Sequence, residues 1–275
     1  MAEEDAVLSP TQGYHSYAFL LSLTKSVAPE LSEHIHTMDG PKPFTTSPLR
    51  GKFACGGGKV CSGTAYWLRF TFFEDSLFAQ FAHSLMMSLG QEKRVHLGTA
   101  LFKLAEVITH PQGDPWAGFD RFDDIWGRAS PNKIVSLLFS SPITFRSGGK
   151  RNVTFPQPEL VFGSYLSKWN AYSSTVFDDK LREYLQQHVI PARYKLETRI
   201  LNFGSYQEVG FEGKCSFIMT ESIPEEILRQ INALANFSFY AGTGAKTTMG
   251  MGQTRRISNA GALSHGTRRY AQERG

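Results

Sequence analysis

The spacing of apolar and polar residues divides the first half of the chain into helices and strands. The predicted elements are helices at 12–27 and 30–38, an extended segment at 44–49, a strand at 65–73, a helix at 77–89 and an extended segment at 95–109. This order is most of a β-α-β-β-α-β ferredoxin-like module. Its first strand has to come from the short stretch 6–10.

The second half repeats the order after residues 110–132, a connection rich in Pro, Gly, Asp and Trp. The predicted elements are β-like segments at 134–139 and 143–145, helices at 158–172 and 178–188, strands at 193–203 and 210–219, a helix at 224–240 and a last strand. The pattern predicts an α+β fold of two tandem ferredoxin-like (RRM-like, βαββαβ) domains, at 1–115 and 133–257. Residues 258–275 are small, polar and aperiodic, and we expect a disordered basic tail.

A glycine-rich loop at residues 241–256 separates the last predicted helix from the last strand. Glycine allows positive φ and close approach, so the N–H groups of such a loop suit phosphate oxygens. The loop does not fit a Walker A motif, because Ala245 separates Gly244 from Lys246. It does not fit a dinucleotide fingerprint either, because position 247 is threonine. A plain glycine-rich turn between two strands is the alternative.

Composition and charge narrow the class of protein. The three cysteines match neither a zinc module nor a disulfide framework, and three of the first five residues are acidic, unlike the start of a secretory signal. No apolar run reaches the ~20 residues of a membrane span. We therefore expect a cytoplasmic protein with no membrane contact. Residues 253–275 hold five arginines and one acid, which is the whole net charge of +4. Any contact with nucleic acid must then come from local basic patches.

Two histidines and a lysine form the second unusual segment. His34 and His36 are at the end of the second predicted helix, and Lys42 follows six residues after His36. A histidine can transfer a proton near neutral pH, and a lysine can stabilise charge on a phosphate. The alternative is a pair of surface histidines that suit the C-terminal end of a helix dipole. No third and fourth ligand accompany the pair, so we predict no metal and no cofactor.

Four segments together resemble a known family. They are residues 35–49, residues 155–162 with Lys168-Trp169-Asn170, residues 208–213, and residues 234–252. Their order and spacing, over residues 12–257, are similar to those of the CRISPR-associated endoribonuclease that processes precursor CRISPR RNA, the sixth Cas family of the RAMP superfamily. The resemblance implies CRISPR repeat RNA as the partner, with other Cas proteins and a second copy of the chain as further candidates.

The resemblance also implies a mechanism and its residues. A ribose 2′-OH attacks the adjacent phosphorus without a metal ion, leaving a 2′,3′-cyclic phosphate and a 5′-hydroxyl. His36 matches the catalytic histidine of the family, with His34 as the second choice, and Lys42 matches a basic residue that stabilises the phosphorane. A tyrosine of the first helix, Tyr14 or Tyr17, completes the set.

The glycine-rich loop, in this resemblance, lies at the interface of the two domains and contacts the RNA backbone. The residues carried over or added as RNA contacts are Gly242, Gly244, Lys246, Thr247, Gly250, Gly252, Arg255 and Arg256. Lys150 and Arg151 form a second candidate basic loop, for which a solvated turn is the alternative. A non-catalytic repeat-RNA-binding subunit of an interference complex is the competing function, and a nucleotide-binding enzyme is a third.

Overall fold

The computed structural model describes residues 1–9, 11–54, 58–88, 94–147, 151–220 and 223–259 of the chain. Its helices are α1 (Gly13–Val27), α2 (Pro29–Thr37), α3 (Asp75–Ser88), α4 (Phe122–Gly127), α5 (Pro158–Tyr172), α6 (Leu181–His188) and α7 (Glu225–Ala241). Within these ranges no helix has the length and apolar character needed to cross a membrane.

The strands of the N-terminal half are short. They are β1 (Ala6–Val7), β2 (Phe44–Thr46), β3 (Arg50–Gly51), β4 (Lys59–Val60), β5 (Tyr66–Trp67), β6 (Phe70–Phe72), β7 (Arg94–Leu97) and β8 (Ala100–Lys103). They pair in antiparallel twos: β1 with β4, β2 with β6, β3 with β5, and β7 with β8. Helices α1, α2 and α3 pack against strand β2. These elements share a small core of Leu20, Leu23, Ile35, Phe44, Leu77 and Phe81.

The C-terminal half is built on one four-stranded antiparallel sheet. Its strands are β9 (Ile134–Ile143), β12 (Val189–Asn202), β13 (Gln207–Met219) and β14 (Thr254–Ile257), in the order β12-β13-β9-β14, and a separate hairpin joins β10 (Phe145–Ser147) to β11 (Arg151–Val153). Helices α5 and α7 pack together, and Trp169 of α5 meets Phe237 of α7 edge to face. This half therefore holds the larger core.

Two predicted segments of the N-terminal half differ from the structure. The segment at 95–109 is not one extended run but the hairpin β7–β8, because Gly98 has φ +60° and reverses the chain there. The strand at 65–73 is divided into β5 and β6, which pair with different partners. The first strand is confirmed but lasts only two residues, since β1 pairs with β4 through Ala6 and Val7 alone.

A buried arginine joins the two halves. Arg69, only 8% exposed, donates through Nε to the carbonyl of Trp116 at 2.6 Å and through Nη2 to that of Phe239 at 2.7 Å. Its Nη1 donates to Oε1 of Gln253 at 3.1 Å. Desolvation lowers the pKa of this guanidinium to about 10. The end of α7 is thereby fixed beside the strand pair β2–β6, where the glycine-rich loop begins.

Candidate active site and nucleic-acid interface

In the structure the glycine-rich loop is the stretch 242–253 between α7 and β14, because the predicted stretch 241–256 includes the end of α7 and part of β14, and it packs against the first residue of α1. A Cβ atom on Gly13 would overlap the carbonyl oxygen of Met249. A Cβ on Gly250, whose φ is +85°, would lie 2.8 Å from Cα of Gly13 and 3.0 Å from N of Pro48. Thr46 of β2 also donates to the carbonyl of Thr248 at 2.8 Å. Glycine at 13 and 250 thus lets the loop touch the N-terminal half directly.

Most of the loop's backbone donors are already used within the protein. The N–H groups of Thr243 and Ala245 donate to the carbonyls of Gly252 and Thr144, at 2.7 and 2.9 Å. The N–H of Gly252 donates to Pro142 at 3.0 Å. Gly244 donates to Oγ of Ser164, and Gly242 to the carbonyl of Ser238 as it ends α7. The loop is therefore a fixed shape, and these five N–H groups have protein acceptors.

Helix α5 supports the loop from below through a buried lysine. Nζ of Lys168 donates to Oγ1 of Thr247 at 2.9 Å and to the carbonyl of Ala241, the last residue of α7. Lys168 is 7% exposed, and burial lowers its pKa to about 7. One turn away, the hydroxyl of Tyr165 bonds Oγ1 of Thr243. Two side chains of α5 thus hold both ends of the loop's first half.

Lys246 is the basic side chain of the loop, and it has partners in the long hairpin β12–β13. Its Nζ lies 3.2 Å from Oε1 of Glu208 and bonds the hydroxyl of Tyr206. It also lies 4.1 Å from the ring centre of Tyr206 and 4.6 Å from that of Phe203. The charge is therefore largely balanced by a carboxylate that is itself only 5% exposed.

Glu208 is the centre of that ion cluster. Burial by itself raises the pKa of this carboxyl, but hydrogen bonds from Lys246 and Asn152 outweigh burial, and the net pKa is lowered. Arg146 adds a second cation at 3.5 Å. Because Asn152 and Arg146 belong to the hairpin β10–β11, Glu208 fixes this hairpin beside the glycine-rich loop.

The end of helix α2, which carries the candidate histidines, is anchored to the rest of the protein. Lys42 donates to the carbonyl of Ile35 at 2.8 Å and to that of Met38. The hydroxyl of Tyr172, on α5, donates to the carbonyl of Pro41. Lys42 therefore caps the C-terminal end of α2, a position that suits a cation. Its predicted contact with a phosphorane stays a prediction.

The candidate histidines and the second basic loop lie partly outside the residues that the structure describes. The backbones of His34 and His36 belong to α2, in its last two turns, but their side chains are not among those described. Lys150 lies outside the described residues, and of Arg151 only the backbone, in β11, is described. Their predicted roles stay predictions.

The two candidate tyrosines of α1 differ in environment. Tyr14 is 53% exposed, next to the Gly13 that contacts the loop. Tyr17 is half-buried and stacks on Phe44 of β2, with ring centres 6.2 Å apart and planes at 12°. Desolvation, and to a smaller extent Tyr14, raise the pKa of Tyr17. At neutral pH the Tyr17 hydroxyl is thus a donor and a poor base.

The two arginines after the loop lie on β14 and have different partners. Arg256 donates to Oδ1 of Asn232 at 2.7 Å and of Asn236 at 2.9 Å, both on α7. The guanidinium carbon of Arg255 lies 5.1 Å from the ring centre of Trp116. Their partners are in α7 and the connection, whereas Met249 and Gly250 contact α1, so the predicted RNA residues do not share one set of neighbours.

The structure thus brings the loop against the start of α1 and against β2, while the end of α2 is anchored through Pro41 to Tyr172 of α5. Prediction from sequence missed Lys168 as a site residue, together with Tyr206 and Glu208. Lys168 had a signal, because it lies among Tyr165, Leu166 and Trp169 in the apolar pattern of α5. Within the part of the chain that the structure describes, no three His, Cys, Asp or Glu side chains form a group that could hold a metal ion.

Two family models match the chain. The CRISPR Cas6 N-terminal domain matches residues 5–127, and the CRISPR-associated endoribonuclease Cas6 matches residues 137–254. The chain is 27% identical, over 137 residues, to the CRISPR-associated endoribonuclease Cas6 of Streptococcus thermophilus. That alignment covers 49% of this chain and 55% of the relative. The chain therefore spans about half the length of the curated relative that it matches.

Solved structures extend the likeness to nearly the whole chain. A product complex of Cas6 (TTHB231), a Thermus thermophilus protein, has a TM-score of 0.80 and 28% identity over 93% of this chain and 97% of its own. A product complex of Cas6 (TTHA0078) has a TM-score of 0.76 and 26% identity, over 94% and 96%. An RAMP protein binding different RNA substrates, with 15% identity over 92% and 94% and a TM-score of 0.57, shares the fold. The predicted α+β fold with two ferredoxin-like domains is confirmed.

Proposed function

We propose that this chain, which belongs to the family of the CRISPR-associated endoribonuclease Cas6, cleaves precursor CRISPR RNA within its repeats. The observation that carries the proposal is the contact of the glycine-rich loop with α1. The carbonyl of Met249 and Cα of Gly250 lie against Gly13, one residue before Tyr14. A strand of RNA that follows the loop would therefore pass the start of α1 and Tyr14. We propose that it continues from there to the end of α2, which carries His36.

The reaction that we propose needs no metal ion. The 2′-oxygen attacks the adjacent phosphorus, so that the O2′–P bond forms as the P–O5′ bond breaks. A base takes the proton of the 2′-hydroxyl, and an acid gives a proton to the departing O5′. The products are a 2′,3′-cyclic phosphate and a 5′-hydroxyl. We assign one of the two proton transfers to His36, whose backbone lies in the last turn of α2.

Three other residues support this chemistry by their positions. The hydroxyl of Tyr14 or Tyr17 is a neutral donor that suits a developing negative charge on phosphate oxygens. Lys42 donates to the carbonyl of Ile35, in α2, and to that of Met38, just after it. In the proposed site Lys42 therefore acts first by holding the end of α2 in place, and its positive charge stays close to the phosphate.

The matched pair His36→Ala and His34→Ala tests the assignment. We expect His36→Ala to lower the single-turnover rate on repeat RNA about 100-fold or more, with little change in RNA affinity. His34→Ala, two residues away on the same helix, should cut at the wild-type rate. The reverse order would move the assignment to His34, and full activity in both would remove it.

The proposed bond changes have their own test. A single deoxyribose on the 5′ side of the cleaved bond removes the nucleophile and should abolish cleavage. EDTA should leave the rate unchanged. Cleavage of the deoxy substrate would contradict attack by the 2′-hydroxyl.

A non-catalytic repeat-RNA-binding subunit is the second candidate. It is favoured by two observations: Lys42 caps α2, and Lys246 is paired with Glu208. Tight binding of the repeat RNA with no product after hours at saturating protein would establish it.

A further inference from the structure

The longest strand that the structure describes lies at an open edge of its sheet. β12 has 14 residues, and in the order β12-β13-β9-β14 its one neighbour among the described strands is β13. Every second residue of such a strand points its N–H and C=O away from the sheet, where another strand can pair with them. Proteins usually keep edge strands short or cover them for this reason. Here every residue from Arg193 to Ile200 except Leu196 is exposed.

Only the start of β12 is protected from pairing. Pro191 has no N–H to donate, and the register with β13 shifts between Pro191 and Arg193. From Arg193 to Asn202 the pairing with β13 continues without a further shift. Residues 193–200 therefore form a regular and accessible edge, on which an added strand would find no break in register.

The face of this edge that looks toward the helices is apolar. Directly paired residues share a face of a sheet, and Tyr194 and Thr198 are paired with Cys215 and Phe211, which are buried in the C-terminal core. Of this row, Tyr194 is 55% and Ile200 68% exposed. The residues of β12 on this face, which we call the inner row, are Tyr194, Leu196, Thr198 and Ile200.

The opposite face of the edge carries the charges, in an outer row of Arg193, Lys195, Glu197 and Arg199. Arg199 is paired with Glu197 at 3.1 Å and with Glu212 of β13 at 2.9 Å. Lys195 is directly opposite Lys214 of β13, and both lysines are exposed. Like charges at directly opposite positions are unfavourable. An acidic side chain on an added strand, next to Lys195, would relieve this repulsion.

The charges favour an acidic partner over a second copy of the chain. The outer row has three cations and one acid, so a second β12 would bring the same excess of positive charge to the contact. A strand of RNA would use the cations but would leave the backbone groups of the edge and the inner row without partners. An extended polypeptide can satisfy all three features.

We propose that β12 is a docking edge for an extended segment of another protein in which acidic residues alternate with apolar ones. The main chain of this segment pairs with the outward N–H and C=O groups of residues 193–200. Its apolar side chains lie beside Tyr194 and Ile200, and its acids lie beside Lys195. The proposal is independent of RNA cleavage, because neither row contains a residue of the proposed active site.

A synthetic peptide of alternating glutamate and valine, about ten residues long so that it covers residues 193–200, is the probe. Its controls are a peptide with the same residues in two blocks, an alternating lysine–valine peptide, and the glutamate–valine peptide with every amide N-methylated. Fluorescence anisotropy gives Kd, and hydrogen exchange locates the protected amides of the full chain. Lys195→Glu is compared with Lys103→Glu, which reverses the charge of an exposed lysine of β8 in the other half.

We expect the alternating glutamate–valine peptide to bind and to slow hydrogen exchange within residues 193–200. The block and N-methylated peptides should bind about tenfold more weakly or worse, because they lack the alternation or the backbone donors. Lys195→Glu should weaken binding of the alternating peptide about fivefold, whereas Lys103→Glu should not. Lys195→Glu should cleave repeat RNA at the wild-type rate.

Several outcomes would overturn the proposal. No binding of the alternating peptide up to about 1 mM would mean that the charges of the outer row simply keep the edge unpaired. Equal binding of the block and alternating peptides would show attraction of charge without strand pairing. Protection of residues 193–200 that rises with protein concentration, without peptide, would assign the edge to a second copy. Weaker binding of repeat RNA by Lys195→Glu, with Lys103→Glu unchanged, would assign the outer row to RNA.

Discussion

Replacing Lys168 by methionine should change how the stability of the protein depends on pH. In the folded chain the ammonium group is buried beneath the glycine-rich loop, and its pKa falls from 10.5 to about 7. Its acceptors, Oγ1 of Thr247 and the carbonyl of Ala241, carry no formal charge. Methionine keeps an unbranched side chain of similar length without the charge.

The magnitude follows from proton linkage. Between pH 7 and 10.5 the unfolded chain keeps a proton at Lys168 that the folded chain has lost, so the free energy of unfolding rises with pH. Below pH 7 both states are protonated, and the contribution no longer changes. From pH 7 to 8.5 this lysine should add about 1–2 kcal/mol to wild-type stability, an increment that Lys168→Met lacks. Above pH 9 Cys215 acts in the opposite sense, because burial raises its pKa from 9.0 to about 12.

Urea unfolding at pH 7 and 8.5 measures the effect. Wild type and the control Lys195→Met, an exposed lysine of β12, should gain the increment, while Lys168→Met should gain less by about 1–2 kcal/mol. Lys168→Met should also bind repeat RNA more weakly, because Thr247 loses the donor that fixes it. Identical pH dependence in wild type and Lys168→Met would refute a buried ammonium at this position.

Three further predictions concern the same region. Gly250→Ala should unfold at a lower temperature than its control Gly204→Ala, and it should cleave RNA more slowly. Both glycines have φ near +86°, but only a Cβ at position 250 would meet Gly13 and Pro48. Equal melting temperatures of the two variants would show that this contact adjusts without cost. Glu208→Gln should lower the free energy of unfolding by about 1–3 kcal/mol, because Lys246 loses its carboxylate partner. The freed charge of Lys246 should tighten RNA binding a few-fold at low salt. Weaker binding would mean that the loop needs Glu208 for its shape. Tyr17→Phe and Tyr14→Phe each remove a hydroxyl and keep the ring, so the variant whose cleavage rate falls about tenfold or more identifies the hydroxyl that acts. Because the pKa of Tyr17 is raised, ionisation of this tyrosine should not lower the rate below pH 10.

The sequence predicted the elements of the C-terminal half closely. Helix α5 has the predicted bounds and α7 is shifted by one residue, because long apolar periodicity leaves little choice of boundary. The prediction of one extended segment at 95–109 was wrong. Apolar and polar residues alternate in the same way on both strands of a tight hairpin, and only Gly98 marked the turn.

The site was predictable in its parts and less so in its connections. The family was predicted from motif order, and the two family models confirm it. The pairing of Lys246 with Glu208 joins residues 38 apart in the chain, and no local pattern shows which acid meets which base. The capping of helix α2 by Lys42 likewise could not be predicted from the sequence, because it depends on how the chain turns between α2 and β2.

The buried Arg69 has a consequence for how the chain unfolds. Its guanidinium donates to the carbonyls of Trp116 in the connection and Phe239 in α7, and to the side chain of Gln253 at the end of the glycine-rich loop. Separating the halves would break the bonds to Phe239 and Gln253 and expose the apolar surface around the guanidinium to water. We therefore expect the two ferredoxin-like units to unfold together, so that a calorimetric scan shows a single transition whose van't Hoff and calorimetric enthalpies agree.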